Sequence, residues 1–286
     1  MNEERLIYIN YIVNIYMTLE LFNADCLEKM KDISDNTIDL IICDLPYGVL
    51  HPERKDINAK DKYKNHAGSQ GCSWDIKLNL EEFWKQIKRI RKDDHTPCLH
   101  FCSTKFGYDL IKSNEKEFRY DLVWCKSNAV GFLSANKKPM SGHEMIYVFS
   151  KKGANYNRID IEGDFKGLKV TNGEISGNVY SCKSIFRKTP IKRVGVQEGK
   201  RCVKSWFEIA NKSKKDQHPT AKPLELYKWL ITRYSNEGDT VLDPTFGSGN
   251  SGLVSRELNR NYIGIEKDKG FYDKAVEKLI TPLENE

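Results

Sequence analysis

Thr240-Val-Leu-Asp-Pro-Thr-Phe-Gly-Ser-Gly-Asn-Ser-Gly-Leu-Val-Ser-Arg-Glu-Leu258 passes from an apolar run through a glycine turn into a helical pattern, and Tyr262-Ile-Gly-Ile-Glu266 follows as a second apolar run ending on a carboxylate. A strand, a glycine turn and a helix start let a ligand approach backbone where no Cβ intrudes, with N–H groups at the helix N-terminus. An acidic residue at the end of the next strand can take both hydroxyls of a ribose. A glycine turn by itself only turns the chain. The ordered set of strand, Asp-Pro, Phe-Gly-Ser-Gly, helix, strand and Glu266 specifies much more.

Working outward, Ile38-Asp-Leu-Ile-Ile-Cys43 is a nearly all-apolar, β-branched run, as expected of a parallel strand covered on both faces. Further strands are expected at Leu19–Asn23, Pro97–Cys102, Tyr120–Trp124, Glu144–Phe149, Thr240–Leu242 and Tyr262–Ile265. Helical patterns fall between several of them, at Cys26–Ile33, Asn79–Arg91, Phe106–Lys112, Pro223–Tyr234, Ser251–Leu258 and Gly270–Leu279. Alternating strands and helices predict an α/β fold with a mainly parallel sheet.

Asp44-Leu-Pro-Tyr47-Gly48 follows the central strand run. Its carboxylate, its carbonyl and an aromatic ring would all sit at the carboxyl end of a strand, the edge of an α/β sheet where ligands bind. Pro46 fixes the turn so that the Asp44 carboxylate and the Leu45 carbonyl can face one point. Taken alone, these residues would equally suit a strand-ending turn.

The 286 residues carry a net charge of +6, and it is unevenly placed. Lys151 to Gln217 holds 16 Lys/Arg against 7 Asp/Glu, so the rest of the chain is slightly acidic. Within that segment Gly177–Lys215 has 11 Lys/Arg interleaved with Tyr180, Phe186, Trp206 and Phe207, and only Glu198 and Glu208 as acids. Such a mixture suits a polyanion with phosphates to neutralise and bases to stack, and it also suits an ordinary solvated face. Tyr156–Val203 breaks the strand–helix rhythm and is the candidate insertion. The eight cysteines form no CxxC pair, so neither structural zinc nor a disulfide framework is expected, and Cys43, Cys98 and Cys125 read as buried thiols. Leu6–Leu21 is too short and too polar for a membrane span, and Met1-Asn-Glu-Glu-Arg5 lacks a signal peptide's basic start; a cytoplasmic location is expected.

With these motifs in place the sequence resembles the β-class DNA amino-methyltransferases, which methylate the exocyclic amine of adenine or cytosine from S-adenosyl-L-methionine. Asp44–Tyr47 matches the family's catalytic Asp-Pro-Pro-Tyr with Leu45 in place of the first proline, and Asp243-Pro-Thr-Phe-Gly-Ser-Gly249 matches its cofactor motif in part. Asn23-Ala-Asp-Cys26, His218-Pro-Thr-Ala-Lys-Pro223 and Gly142–Lys151 resemble three further segments. The resemblance implies a Rossmann-like class I methyltransferase sheet, circularly permuted because the catalytic motif precedes the glycines, with the basic insertion as target recognition region. It implies catalytic roles for Asp44, Leu45, Pro46 and Tyr47. Asp25 and Cys26 would lie near the cofactor adenine and Glu266 on its ribose. Phe246, Gly247, Ser248 and Gly249 would give backbone contact, and Thr220, Lys222, Pro223 and Asp243 would surround the methionine end. Arg187, Lys188, Lys192, Arg193, Lys200 and Arg201 would face double-stranded DNA. No metal is expected, and a homodimer is left open.

The expected organisation is an N-terminal extension at 1–18, a catalytic half at 19–150, the recognition insertion at 151–217 and a cofactor half at 218–286. Residues 1–16 match no family motif; they are read as dispensable, with a packing helix at Leu6–Tyr16 as the rival. Aspartate heading the motif favours adenine N6 over cytosine N4. Three alternatives stand beside this reading: a cytosine C5 enzyme using Pro97-Cys98, an RNA or protein-glutamine methyltransferase, and a catalytically silent DNA-binding module.

Overall fold

Parallel strands that are apolar on both faces need a helical layer on each side, and the chain builds that. The computed structural model describes residues 4–10, 16–47, 77–163, 169–171, 174–176, 200–211 and 221–281. The elements run β1 (Glu4–Asn10), β2 (Tyr16–Asn23), α1 (Cys26–Lys29), β3 (Leu40–Cys43), α2 (Leu80–Ile90), β4 (Cys98–Cys102), α3 (Thr104–Ser113), β5 (Phe118–Val130) and β6 (Ser141–Phe149). Four short strands follow, β7 (Ile161–Glu162), β8 (Lys169–Thr171), β9 (Glu174–Ser176) and β10 (Lys200–Arg201). The chain ends with β11 (Trp206–Ile209), α4 (Leu224–Tyr234), β12 (Thr240–Asp243), α5 (Asn250–Glu257), β13 (Asn261–Glu266) and α6 (Lys269–Ile280).

Nine strands form one sheet in the order β1-β2-β13-β12-β3-β4-β6-β5-β11. The central run from β2 to β4 is parallel, β6 is antiparallel to both β4 and β5, and β1 is antiparallel to β2. Period-two alternation sorts the core. Leu40 and Ile42 join the cluster that includes Leu226, Leu230, Val254 and Leu279 of α4, α5 and α6. Ile41 and Cys43 face the cluster that includes Met30, Phe83, Ile87 and Leu110 beneath α2 and α3. Side-chain caps open several helices: Asn79 accepts from the N–H groups of Glu81 and Glu82, and Asp268 from that of Phe271.

β12 and β3 are neighbours, yet the chain leaves β12 toward β13 and leaves β3 toward β4. Strand order therefore reverses between them, and the crevice beyond their carboxyl ends is where an open α/β sheet places its ligand.

Several expectations are corrected. In place of the rival helix at Leu6–Tyr16, β1 pairs with β2 from Glu4↔Phe22 to Asn10↔Tyr16, because Leu-Ile-Tyr-Ile is strand-forming and finds an open edge. The helix expected at Cys26–Ile33 is α-helical only to Lys29 and tightens to a 3₁₀ turn over Met30–Asp32. Trp206 and Phe207, grouped with the basic insertion, belong to β11, which pairs in parallel with β5, and Phe207 stacks on Trp229 at 4.1 Å. The described chain divides into Met1–Asn157 with Ser205–Glu286, and Arg158–Lys204. In the latter unit β7 pairs with β10 and β8 with β9, both antiparallel. No helix among the described residues is long and apolar enough to cross a membrane.

Candidate active site

The switch-point crevice opens into a cavity of about 1070 Å³. Its wall includes Asp25, Cys26, Asp44, Leu45, Pro46, Tyr47, Lys222, Phe246, Gly247, Ser248 and Glu266, so eleven residues singled out from sequence converge on one space. Asp243, Gly249 and Pro223 stand outside the lining. Thr220, Arg187, Lys188, Lys192 and Arg193 lie outside the described residues. Lys200 and Arg201 form β10 in the smaller unit.

At the end of β3 the Asp44 carboxylate is held from both sides. Tyr47 donates its hydroxyl to Oδ1 at 3.0 Å, and the Lys222 ammonium donates to Oδ2 at 2.6 Å. Lys222 also reaches Glu144 Oε1 at 3.2 Å, and Lys126 reaches Glu144 Oε2 at 2.8 Å. Two half-buried carboxylates thus alternate with the buried Lys222 and half-buried Lys126 ammonium groups, a neutral chain running into the cavity wall. Burial pulls the Asp44 carboxyl above its ordinary range, against the lowering influence of Lys222. Burial acts the same way on Glu144, but Lys222 and Lys126 prevail and hold it below. Burial alone would depress Lys222, and Asp44 and Glu144 overcome it and raise it. Lys222 is only 6% exposed and also lies over the Phe101 ring.

Tyr47 stacks on Phe106 with centroids 4.8 Å apart and planes at 29°, which fixes its ring at the cavity wall. Thr245 donates its hydroxyl to the Asp44 carbonyl at 3.2 Å, tying the turn after β12 to the turn after β3. Asn250 donates to the Lys222 carbonyl at 2.6 Å and anchors the segment before α4.

On the cofactor side, Gly247 and Gly249 take positive φ values of 50° and 71°, a region that side chains strain to adopt. α5 then starts without a side-chain cap. Glu266 accepts from the N–H groups of Gly247 at 3.0 Å and Asp268 at 2.7 Å, which sets its carboxylate at the rim of the turn. Asp25 caps α1 through Leu27 N–H and pairs with Lys267 at 3.1 Å. Asp243 sits behind the turn, bound by the Ser251 hydroxyl at 2.6 Å and the Thr245 N–H at 3.1 Å, and burial pushes it up to about 7. Burial pushes the Cys26 thiol to about 12, which keeps it protonated and unreactive. A cavity of this size matches the upper end of small-molecule sites, roughly 300–1,000 Å³. With αL glycines on one wall and a fixed carboxylate beside them, the residues present fit a nucleoside cofactor together with a base.

Pro97-Cys98 supplies no nucleophile here. Cys98 is buried in β4 beside Cys43 and His100, away from the cavity lining. His100 in turn packs edge-to-face against Phe83, Trp84 and Phe149.

Lys126 and Glu144 had no assigned role in the sequence. The available signal was phase: Glu144 shares the phase of buried Ile146 and Val148, and Lys126 that of buried Leu122 and Trp124. A charge in the inward register of a covered strand needs a partner.

The family described as DNA methylase, covering N6 and N4 enzymes, matches residues 38–277. The chain is 28% identical over 268 residues to the type II methyltransferase M.HinfI of Haemophilus influenzae, covering 91% of this chain and 67% of that protein. It is 27% identical to M.HpaI of Haemophilus parainfluenzae, covering 92% and 74%. Among solved structures, the PvuII DNA methyltransferase, described as cytosine-N4-specific, superposes with a TM-score of 0.59 at 14% identity over 92% of this chain and 86% of that one. The M1.HpyAVI complex with S-adenosylmethionine gives 0.54 at 22% identity over 91% and 98%.

Proposed function

The chain belongs to the β-class N6/N4 DNA amino-methyltransferases, S-adenosylmethionine-dependent enzymes, and from that premise we propose that it methylates N6 of adenine at a specific sequence in double-stranded DNA, with the target base swung out of the helix. The observation that carries this reading is the Asp44 carboxylate at the cavity wall, heading the Asp-Leu-Pro-Tyr turn and held between Tyr47 and Lys222. Aspartate at this position favours adenine, and cytosine N4 is the alternative. S-adenosylmethionine, when bound, supplies an electrophilic methyl group on a sulfonium centre. Asp25, Phe246, Gly247, Ser248 and Glu266 along one wall would hold it.

The chain's own task is to make an amine nucleophilic. The lone pair of an exocyclic amine is delocalised into the ring. The Asp44 carboxylate and the Leu45 carbonyl each accept one amine hydrogen, which draws the nitrogen toward a tetrahedral shape and aims the lone pair away from the protein acceptors. Because both acceptors are fixed before the base arrives, no reorganisation is needed during transfer. Burial makes Asp44 a more basic acceptor than a solvated aspartate, which suits it to take the proton the nitrogen must lose once the N–C bond forms. Lys222 holds Asp44 ionised, and Glu144 with Lys126 holds Lys222. Tyr47, braced by Phe106, offers a flat ring to a base that has left the stack. Leu45 keeps the carbonyl that the family's proline would supply.

The basic insertion, with Arg187, Lys188, Lys192, Arg193, Lys200 and Arg201, is assigned to DNA on its charge and aromatic content. The test is methyl transfer from labelled cofactor to duplex DNA, RNA and total protein by wild type and Asp44→Ala. The reading expects label in DNA only, and at least a thousandfold loss in the variant with cofactor affinity kept within a few-fold. Label in RNA or protein, or retained turnover in Asp44→Ala, would refute it.

A further inference from the structure

A base drawn out of a duplex leaves a gap in the stack, and a protein that fills the gap holds the base out. The connection between β5 and β6 has the composition and position for that role. The two strands pair as far as Cys125↔His143, lose register, and meet once more at Val130↔Ser141. Beyond that pair the chain turns through Gly131-Phe-Leu-Ser-Ala-Asn-Lys-Lys-Pro-Met140. Phe132 and Leu133 in this turn are each 77% exposed, and Val130 and Met140 at its two ends are exposed as well. Isolated apolar side chains on a surface need no explanation, whereas four exposed in one turn do.

The turn is built to present them. Gly131 takes φ +96°. Ser134 N–H donates to Gly131 O, Ala135 N–H to Phe132 O, and Lys137 and Lys138 N–H both to Ser134 O, all at 2.8–3.1 Å. At its base, Asn211 braces β5: its Oδ1 accepts from Asn128 N–H at 2.9 Å and from the Ser127 hydroxyl at 3.1 Å, and its Nδ2 donates to Asn128 O. Val130, Ser141, His143 and Asn211 line the same cavity as Asp44. From Lys126 to His143 the chain carries Lys126, Lys137 and Lys138 and no acidic residue.

We propose that the β5–β6 turn is a DNA wedge: Phe132 and Leu133 enter the duplex at the gap left by the target base, and Lys137 and Lys138 contact the flanking phosphates. The proposal rests on the DNA reading above and adds to it an element outside the basic insertion. Duplex DNA is favoured over a second copy of this chain as the occupant because the paired lysines border the apolar residues, and a self-contact would bring like charges together, whereas phosphates neutralise them.

The test uses the full chain with unmethylated plasmid duplex, comparing wild type, Phe132→Ala/Leu133→Ala and Phe132→Trp. Both side chains are solvent-exposed, so folding should be untouched, and cofactor affinity and thermal melting verify this. The double variant is expected to lose at least tenfold in methyl transfer to duplex DNA while binding cofactor within twofold of wild type. Phe132→Trp is expected to keep activity within threefold, and its added indole emission should be quenched by duplex DNA. Methyl transfer by the double variant within twofold of wild type, or indole emission indifferent to DNA, would overturn the wedge. So would a double variant that changes only the sedimentation of the protein, since that marks a contact between copies. Failure of wild type itself to methylate any DNA would instead overturn the functional reading.

Discussion

Lys222→Met removes the cation between two carboxylates and leaves a side chain of similar length over Phe101. Lys222 donates to Asp44 at 2.6 Å and to Glu144 at 3.2 Å, and it is almost fully buried. Glu144 retains Lys126, but among the described residues the Asp44 carboxylate keeps only the Tyr47 hydroxyl. Deleting one partner of a buried ion pair typically costs about 3–5 kcal/mol, because the remaining charge is uncompensated. For a chain of 286 residues, unfolding entropy at about 2.1 cal/mol/K per residue is about 0.6 kcal/mol/K, so the melting temperature should fall by about 5–8 °C. The deficit should depend on pH with a definite sign. Without Lys222 the pKa values of Asp44 and Glu144 rise, and protonation relieves the repulsion, so the gap to wild type narrows as pH falls from 8 to 5. Glu144→Gln added to Lys222→Met should recover part of the loss. Scanning calorimetry of the three variants across pH checks this. A gap below 2 °C at pH 8, or one independent of pH, would show that the charge quartet around Lys222 does not exist as described.

Tyr47→Ala should slow methylation by about 10–100-fold, given about 1–3 kcal/mol for stacking one base on an aromatic ring, while Tyr47→Phe and Tyr47→Trp stay milder; equal damage from all three in turnover assays would count against a stacking role. Asp243, lifted to about 7 by burial, holds a proton in the folded chain between about pH 4 and 7 that the unfolded chain has released, so its contribution to stability falls as pH rises through that window. Asp243→Asn should therefore gain on wild type by about 4 kcal/mol between pH 4 and 8, and thermal melts showing a constant difference would refute it. Neutralising Arg187, Lys188, Lys192 and Arg193 together should weaken duplex binding and flatten its salt dependence by about 0.9 log units per lost phosphate contact; unchanged affinity would make the insertion an ordinary solvated surface.

Local features were the legible ones. The all-apolar Leu40–Cys43 announced a strand covered on both faces, and both helical layers are present. Asn79 heads the pattern read at Asn79–Arg91 and caps α2, its short polar side chain accepting from the next turn's N–H groups, whereas Ser103 and Asp268 cap α3 and α6 ahead of the patterns read from Phe106 and Gly270. The glycine turn and Glu266 could be placed because strand, turn, helix and strand are consecutive in the chain. Less legible was what joins distant segments. Lys222 and Asp44 are 178 residues apart, and nothing local to either names the other. β1 was misread because seven residues with apolar positions on both phases support either period until an edge is available. β11 was hidden because Trp206 and Phe207 sit amid lysines, and only β5 and Trp229 reveal their packing role.

In the proposed function the Asp44 carboxylate and the Leu45 carbonyl orient the N6 amine of adenine in DNA. The most direct measurement is to methylate unmodified duplex DNA with the wild-type chain and labelled S-adenosylmethionine, digest the product to nucleosides, and identify which one carries the label. N6-methyldeoxyadenosine alone is expected. Label in N4-methyldeoxycytidine would contradict the choice of base, and label in C5-methyldeoxycytidine would contradict the amine chemistry itself.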